Sequence, residues 1–368
     1  MAIDPTFPDP RSLLPADRPI QLLDADGTFT EDPDWPIDLD DAQLAELYRL
    51  MVMARQIDAQ AITLQRQGQL GVYASLRGQE AAQIGTAFAL AAQDFVFPSY
   101  REMGVALVRG VDPADLLHVF RGTWLGAHDP AKHRFALITI SIATQALHAA
   151  GFAMGAKLDG SDSCAVAYMG DGATSEGDAH EAFNFASVFG APCVFVVQNN
   201  QYAISVPLTR QTKAPTIAHK GIGYGMPGYR CDGNDVLGTY AVMRQALRHA
   251  REGNGPVLIE AVTYRMEAHT TADDPTRYRE DTELEQWRAR DPITRLEKFL
   301  RDRELVDDEV VETVAQAAKA EAQSVRAALY DAPHGDPMEL FSHVYAEPTQ
   351  QLRDQHELLQ AELQGQDA

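Results

Sequence analysis

From Leu137 onward, short apolar runs alternate with helical stretches, and no other feature of the chain restricts its fold so tightly. The runs at 165–169 (AVAYM), 193–197 (CVFVV) and 257–262 (VLIEAV) are nearly continuous, as in strands buried on both faces. Helical stretches near 178–188 and 236–251 lie between them. That alternation is the signature of βαβ units, so an α/β fold is expected: a parallel sheet flanked by helices on both faces.

The flanks read differently. Residues 1–37 carry Pro5, Pro8, Pro10, Pro15, Pro19, Pro33 and Pro36. Each proline removes a backbone donor, which excludes a long helix or central strand and predicts an extended arm. Asp40 then offers an N-cap with Gln43 three residues on, and Leu39 can staple to Leu44. The apolar series Leu47, Leu50, Met51, Ala54, Ile57, Ala61 and Leu64 predicts a long amphipathic helix ending near Gly68. A hydrophilic loop over 267–281 and charged helices over 283–329 follow the last strand. The expected organisation is an extended N-terminal arm (1–37), an α/β domain with a helical C-terminal region (38–340) and a C-terminal tail (341–368).

A net charge of −22 leaves no clustered Lys and Arg surface to track phosphates, so neither nucleic acid nor an anionic membrane is an expected partner. No run of about 18 apolar residues is present to span a bilayer. The acidic, proline-rich start resembles neither a secretory signal nor an Arg-rich transit peptide, and a bacterial-type cytoplasm is expected. Cys164, Cys193 and Cys231 have no Cys-x-x-Cys spacing and read as reduced core residues.

Chemistry concentrates where two strands end. Gly170-Asp171-Gly172 follows one predicted strand and Asn199-Asn200 the next, with Asp171 and Asn200 29 positions apart. Across a right-handed βαβ crossover both ends open on the same sheet edge, where ligands bind in open α/β folds. One carboxylate oxygen and one amide oxygen are too few to cage Ca²⁺ but suit Mg²⁺, which completes its octahedron with phosphate oxygens and water. The glycines let backbone approach a diphosphate, and the following helix presents free N–H groups.

The strings 169–181 (MGDGATSEGDAHE) and 197–205 (VQNNQYAIS) resemble the alpha subunits of thiamine-diphosphate-dependent 2-oxo acid dehydrogenase complexes, and the likeness runs over roughly residues 20–340. The resemblance implies a thiamine-diphosphate-binding fold in which Gly170, Asp171, Gly172, Ala173 and Asn200 meet the cofactor's diphosphate through Mg²⁺. It adds the backbone carbonyl of Tyr202 as third protein ligand. Tyr100-Arg101-Glu102 matches the family's Tyr-Arg-Glu, in which the first two contact phosphate; a rigid guanidinium fork suits that anion. The segment 139–145 (TISIATQ) is similar to the one beneath the cofactor, with Ile142 supporting the bent cofactor, Ile140 beside the reaction site, and Thr144 and Gln145 as candidates for a monovalent cation, K⁺. The loop 264–274 (YRMEAHTTADD) resembles the family's phosphorylation loop, whose histidine, here His269, touches the diphosphate and the incoming lipoyl group. Arg265 and Asp273 are expected to brace it as a salt bridge.

The chain also departs from the pattern. Gln198 stands where branched-chain relatives often carry a phosphate-binding arginine, Glu267 and Ala268 replace glycine and histidine, and Thr270 takes the place of the serine regulated in animal enzymes. Kinase control is therefore not implied. The resemblance further implies an oxidoreductase that decarboxylates a small-molecule 2-oxo acid and acylates the lipoyl domain of a dihydrolipoyl acyltransferase. The activating glutamate would come from a beta subunit in an α2β2 heterotetramer, because the chain has length for one cofactor-binding half. Gln65-Arg66-Gln67-Gly68 and the segment after Asp38 lie closer to branched-chain than to pyruvate members. A pyruvate or acetoin dehydrogenase alpha subunit, a catalytically silent paralogue and a self-sufficient transketolase-like enzyme are the alternatives.

Overall fold

All three apolar runs form strands in the computed structural model, which describes residues 10–122, 128–332 and 335–366. In chain order the strands are β1 (Phe95–Phe97), β2 (Ala165–Gly170), β3 (Cys193–Asn199), β4 (Tyr202–Ala203), β5 (Val206–Pro207), β6 (Gly228–Asp232) and β7 (Val257–Val262). The helices are α1 (Asp41–Arg66), α2 (Glu80–Phe88), α3 (Met103–Val108), α4 (Pro113–Arg121), α5 (Pro130–His133), α6 (Thr144–Leu158) and α7 (Gly177–Val188), then α8 (Leu208–Gln211), α9 (Val236–His249), α10 (Asp281–Arg288), α11 (Pro292–Asp302), α12 (Asp308–Asp331) and α13 (Gln350–Gln366).

Five strands pair in parallel in the order β1-β2-β3-β7-β6, and β4 and β5 form a separate antiparallel pair. Alternate residues of the sheet part into two cores, as a pleated strand requires. Val166, Tyr168, Val194, Val196, Val257 and Ile259 face the helices α1, α2, α9 and α11. Ala165, Ala167, Met169, Cys193, Phe195 and Val197 face α6 and α7, whose alanines allow close approach. Burial on both faces is why these strands are largely apolar, and the one acid in β7, the buried Glu260, accepts from Asn199 Nδ2 and Ala218 N–H. The three cysteines are buried and unpaired within this core.

The capping box forms as expected: the Asp40 carboxylate accepts from Gln43 N–H at 2.8 Å, and Gln43 Oε1 accepts from Asp40 N–H at 3.0 Å. The whole predicted stripe of α1 is buried. The arm does more than extend. Ile20 pairs with Cys231 in parallel along β6, and Leu22 and Leu23 N–H both donate to Asp235 Oδ2, at 2.6 and 2.9 Å. It thereby covers an otherwise open sheet edge. The charged stretch after the last strand divides into α10, α11 and α12, with α12 packed along α1. Residues 350–366 fold as α13 against the 3-10 turn Pro337–Phe341, where only a tail was expected. No helix among the described residues is long and apolar enough to cross a membrane.

Candidate active site

Because the five strands are parallel, their carboxyl ends share one edge, and the expected residues gather there in a single cleft. Tyr100 and Arg101 follow β1, Gly170 to Ala173 end or follow β2, Asn200 and Tyr202 follow β3, and Arg265 and His269 follow β7; all line the cleft. Ile142, Ala143 and Gln145 form another part of the lining. Ile140 does not join them: it stands 63% exposed outside the cleft.

The Gly-Asp-Gly and Asn-Asn motifs converge through backbone geometry. The turn Asp171–Ser175 is held by Thr174 Oγ1, which donates to the Asp171 carbonyl at 2.8 Å, and by Lys220 Nζ, which donates to the Thr174 carbonyl at 2.9 Å. At Gly172 a Cβ would lie 2.8 Å from the Ala203 Cβ, so close approach to β4 excludes a side chain. Opposite, Gln201 (φ 77°) and Ile204 (φ 57°) bracket Tyr202 with left-handed backbone, which costs about 1–3 kcal/mol per residue and clusters at functional sites.

The result is a cluster of three oxygens. With its nitrogen donating to Gln79 Oε1 at 3.0 Å, the Asn200 amide turns its oxygen to within 3.2 Å of the Tyr202 carbonyl and 3.3 Å of Asp171 Oδ1. Oxygens on adjacent corners of a Mg²⁺ octahedron, each about 2.1 Å from the ion, lie about 3 Å apart. In this orientation, the one that lets Asn200 donate to Gln79, three acceptors meet without a proton between them, an arrangement that a cation would satisfy. Burial pushes the Asp171 carboxyl up to about 6, partly offset by backbone N–H groups and the Arg265 charge.

Beside this cluster lies the opposite charge. Arg101 Nη1 donates to the Ser75 carbonyl at 2.5 Å and its Nη2 to the His269 carbonyl at 2.9 Å. Arg265 Nη1 donates to the Tyr202 carbonyl at 3.2 Å and its Nη2 to the Ile204 carbonyl at 2.7 Å. Both guanidinium groups are buried, and among the described residues neither forms an ion pair with a carboxylate. Buried unpaired charge is expensive, so the pair presents a site for an anion. His269 Nδ1 lies 3.4 Å from Arg101 Nη2 and 3.3 Å from Arg265 Nη1. Facing two donors, Nδ1 must accept, which leaves the ring proton on Nε2. Desolvation, then the Arg101 and Arg265 charges, hold this imidazole neutral down to about 3.

The expected Arg265–Asp273 salt bridge does not form directly. Tyr278 intervenes, accepting from Arg265 Nη2 at 3.1 Å and donating to Asp273 Oδ2 at 2.5 Å; Asp273 Oδ2 also accepts from His269 N–H at 2.8 Å. A phenol thirteen residues along the loop spans the gap, and Arg279 donates to the Arg265 and Met266 carbonyls, at 2.7 and 3.1 Å. Gln198 is buried in the floor, donating to Glu102 Oε1 at 2.7 Å and accepting from Gln83 at 2.9 Å. Thr144 Oγ1 donates to Asp178 Oδ2 at 3.0 Å, whereas Gln145 Oε1 is buried with no partner among the described residues.

Sequence reading missed Gln79 and Ser99, which also line the cleft, and marked Thr139 and Glu176 only as members of the segments 139–145 and 169–181. Gln79 lies 121 positions from Asn200, and no local motif marks their contact.

A family profile described as Dehydrogenase E1 component matches residues 48–335. The chain is 52% identical over 346 residues, 94% of each sequence, to the 3-methyl-2-oxobutanoate dehydrogenase subunit alpha of Mycobacterium tuberculosis. It is 40% identical over 340 residues to the pyruvate dehydrogenase E1 component subunit alpha of Bacillus cereus, covering 92% of this chain and 91% of that relative. To the subunit of that name from Staphylococcus epidermidis it is 39% identical over 343 residues, 92% of each.

Proposed function

The chain belongs to the dehydrogenase E1 component family, which is thiamine-diphosphate-dependent, and we propose that it is the alpha subunit of an enzyme that decarboxylates branched-chain 2-oxo acids of the 3-methyl-2-oxobutanoate type. One observation carries the site: a three-oxygen cluster fit for Mg²⁺ lies beside two buried guanidinium groups without carboxylate partners, the complement of a metal diphosphate. The greater likeness to the 3-methyl-2-oxobutanoate enzyme, 52% against 39–40% for the pyruvate enzymes, supports the branched-chain substrate.

Asp171 Oδ1, Asn200 Oδ1 and the Tyr202 carbonyl would hold Mg²⁺, and Arg101, Tyr100 and the backbone of Gly172 and Ala173 would orient the diphosphate. Thiamine diphosphate supplies, when bound, the nucleophilic carbon and the electron sink for decarboxylation. His269, with its proton on Nε2, would donate a hydrogen bond to the diphosphate or the arriving lipoyl group. Ile142 would give apolar support. The unpartnered Gln145 oxygen supports a K⁺ site, with Thr144 beside it.

Activation of the cofactor's aminopyrimidine requires a free glutamate. Of the carboxylates lining the cleft, Asp171 faces the metal cluster, Glu102 is held by Ser99 at 2.8 Å and Gln198 at 2.7 Å, and Glu176 stands exposed directly after the Asp171–Ser175 turn, at the diphosphate end. We therefore assign that glutamate to a beta subunit in an α2β2 assembly, which passes its acyl group to a lipoyl domain in a bacterial-type cytoplasm. The test is carbon dioxide release from 3-methyl-2-oxobutanoate and from pyruvate, with thiamine diphosphate and Mg²⁺, by the chain alone and with its beta partner. A general acid–base group contributes about 10²–10⁴-fold in rate, so near-complete dependence on the partner is expected. Robust turnover by the lone chain would refute the split site, and preference for pyruvate would replace the substrate.

A further inference from the structure

We propose that Gln79 is a positioning residue that sets the polarity of the Asn200 amide and so keeps the three-oxygen cluster ready for a divalent cation. The proposal rests on reading that cluster as a Mg²⁺ site.

A primary amide has a donating and an accepting end of nearly equal shape, and its hydrogen-bond partners decide which faces where. With no cation, Asn200 has a rival arrangement. Turned over, its NH₂ group would donate to the Tyr202 carbonyl at 3.2 Å and to Asp171 Oδ1 at 3.3 Å, closing the cluster on itself. An amide in that state offers no oxygen to a metal.

Gln79 opposes the turn. Its Oε1 accepts from Asn200 Nδ2 at 3.0 Å, so turning Asn200 over would press two acceptor oxygens together at that distance. Gln79 could relieve the clash only by turning as well, but its Nε2 donates to the Leu76 carbonyl at 3.4 Å, and a turned Gln79 would set oxygen against oxygen there too. A carbonyl can only accept. Polarity therefore passes from Leu76 through Gln79 to Asn200, and leaves the Asn200 oxygen facing Asp171 and Tyr202.

The relay has a firm base. Gln79 is fully buried at the start of α2, with its N–H donating to the Leu76 carbonyl at 2.9 Å and its carbonyl accepting from Gln83 N–H at 3.1 Å. Leu76 is held in turn by the buried Asp58, which accepts from Leu76 N–H at 2.8 Å, Ser75 Oγ at 2.5 Å and the Tyr73 hydroxyl at 2.9 Å. Leu would fill the volume of Gln79 without polarity, whereas a Glu buried here would hold its proton, donate it to the Leu76 carbonyl and keep an acceptor toward Asn200.

The experiment is calorimetric titration of Mg²⁺, at saturating thiamine diphosphate, into wild-type, Gln79→Leu and Gln79→Glu chains assembled with the beta partner. Partners that orient metal ligands typically contribute 10–100-fold in affinity, so Gln79→Leu should weaken Mg²⁺ by about that factor while the metal-free melting temperature stays close to wild type. Gln79→Glu should bind Mg²⁺ nearly as well as wild type. Wild-type affinity in Gln79→Leu would overturn the proposal. So would equal losses in both variants, since volume and fit rather than the acceptor would then be what matters. Failure of the wild type itself to bind Mg²⁺ would instead refute the metal reading beneath it.

Discussion

Gly78 packs the segment that carries Gln79 against the one that carries Arg265 and His269, and Gly78→Ala should damage both at once. Its φ is +96°, and a Cβ built there would lie 2.2 Å from the Tyr264 carbonyl oxygen and 2.6 Å from Met266 Cγ. Left-handed backbone costs an L residue about 1–2 kcal/mol. Overpacking typically adds about 1–3 kcal/mol, and here the nearest obstacle is backbone, which cannot swing aside. The expected loss is therefore about 2–5 kcal/mol. Gly68→Ala provides the control, because Gly68 has φ +74° but no atom within 4 Å of its would-be Cβ. It should lose only the conformational part, about 1–2 kcal/mol. Relief in the Gly78 variant requires the chain at 76–79 to move away from 264–266, straining the Met266 N–H bond to the Arg77 carbonyl, 3.0 Å in the native fold. Gln79 and His269 would shift with these segments. Scanning calorimetry of each variant assembled with the beta partner should place Gly78→Ala well below Gly68→Ala in melting temperature, and titration should show weaker diphosphate binding in the former alone. Equal stability of the two variants would refute the close-approach argument.

Two further perturbations test the separate halves of the site. Asp171→Ala should abolish Mg²⁺-dependent thiamine diphosphate binding while largely preserving the fold, since the carboxylate is buried facing other acceptors; wild-type affinity by calorimetry with the beta chain present would sink its role as a ligand. The His269 ring, held neutral down to about 3, should show no ionisation between pH 5 and 8 in the cofactor-free protein by imidazole NMR. Because its folded value lies below the ordinary 6.5, the neutral ring's contribution to stability is present above about 6.5 and is lost as pH falls toward 3. A bound diphosphate would offset the two guanidinium charges and raise the value; a midpoint near 6.5 without ligand would contradict the buried, doubly flanked geometry.

Features that rest on near neighbours along the chain were legible before any fold was seen. The capping box of α1 joins residues three apart, the strands β2, β3 and β7 declare themselves by apolar runs, and Asp171 and Asn200 are marked by glycine and asparagine doublets at strand ends. The resemblance extended this local reading to Arg101 and His269. Where pattern is short or mixed, that reading failed: β1 has three residues, β6 reads GYRCD, and each joins the sheet only because a longer strand lies beside it. The tertiary structure alone decided the Tyr278 link between Arg265 and Asp273, the burial of Gln198 against Glu102, and the exposure of Ile140 outside the cleft. It also decided the contact of Gln79 with Asn200, 121 positions apart. The physical reason is that a hydrogen bond's energy depends on partners within about 3 Å in space, whereas periodicity and capping record only neighbours along the chain; residues brought together by a parallel sheet's common edge leave no mark of their meeting in either segment.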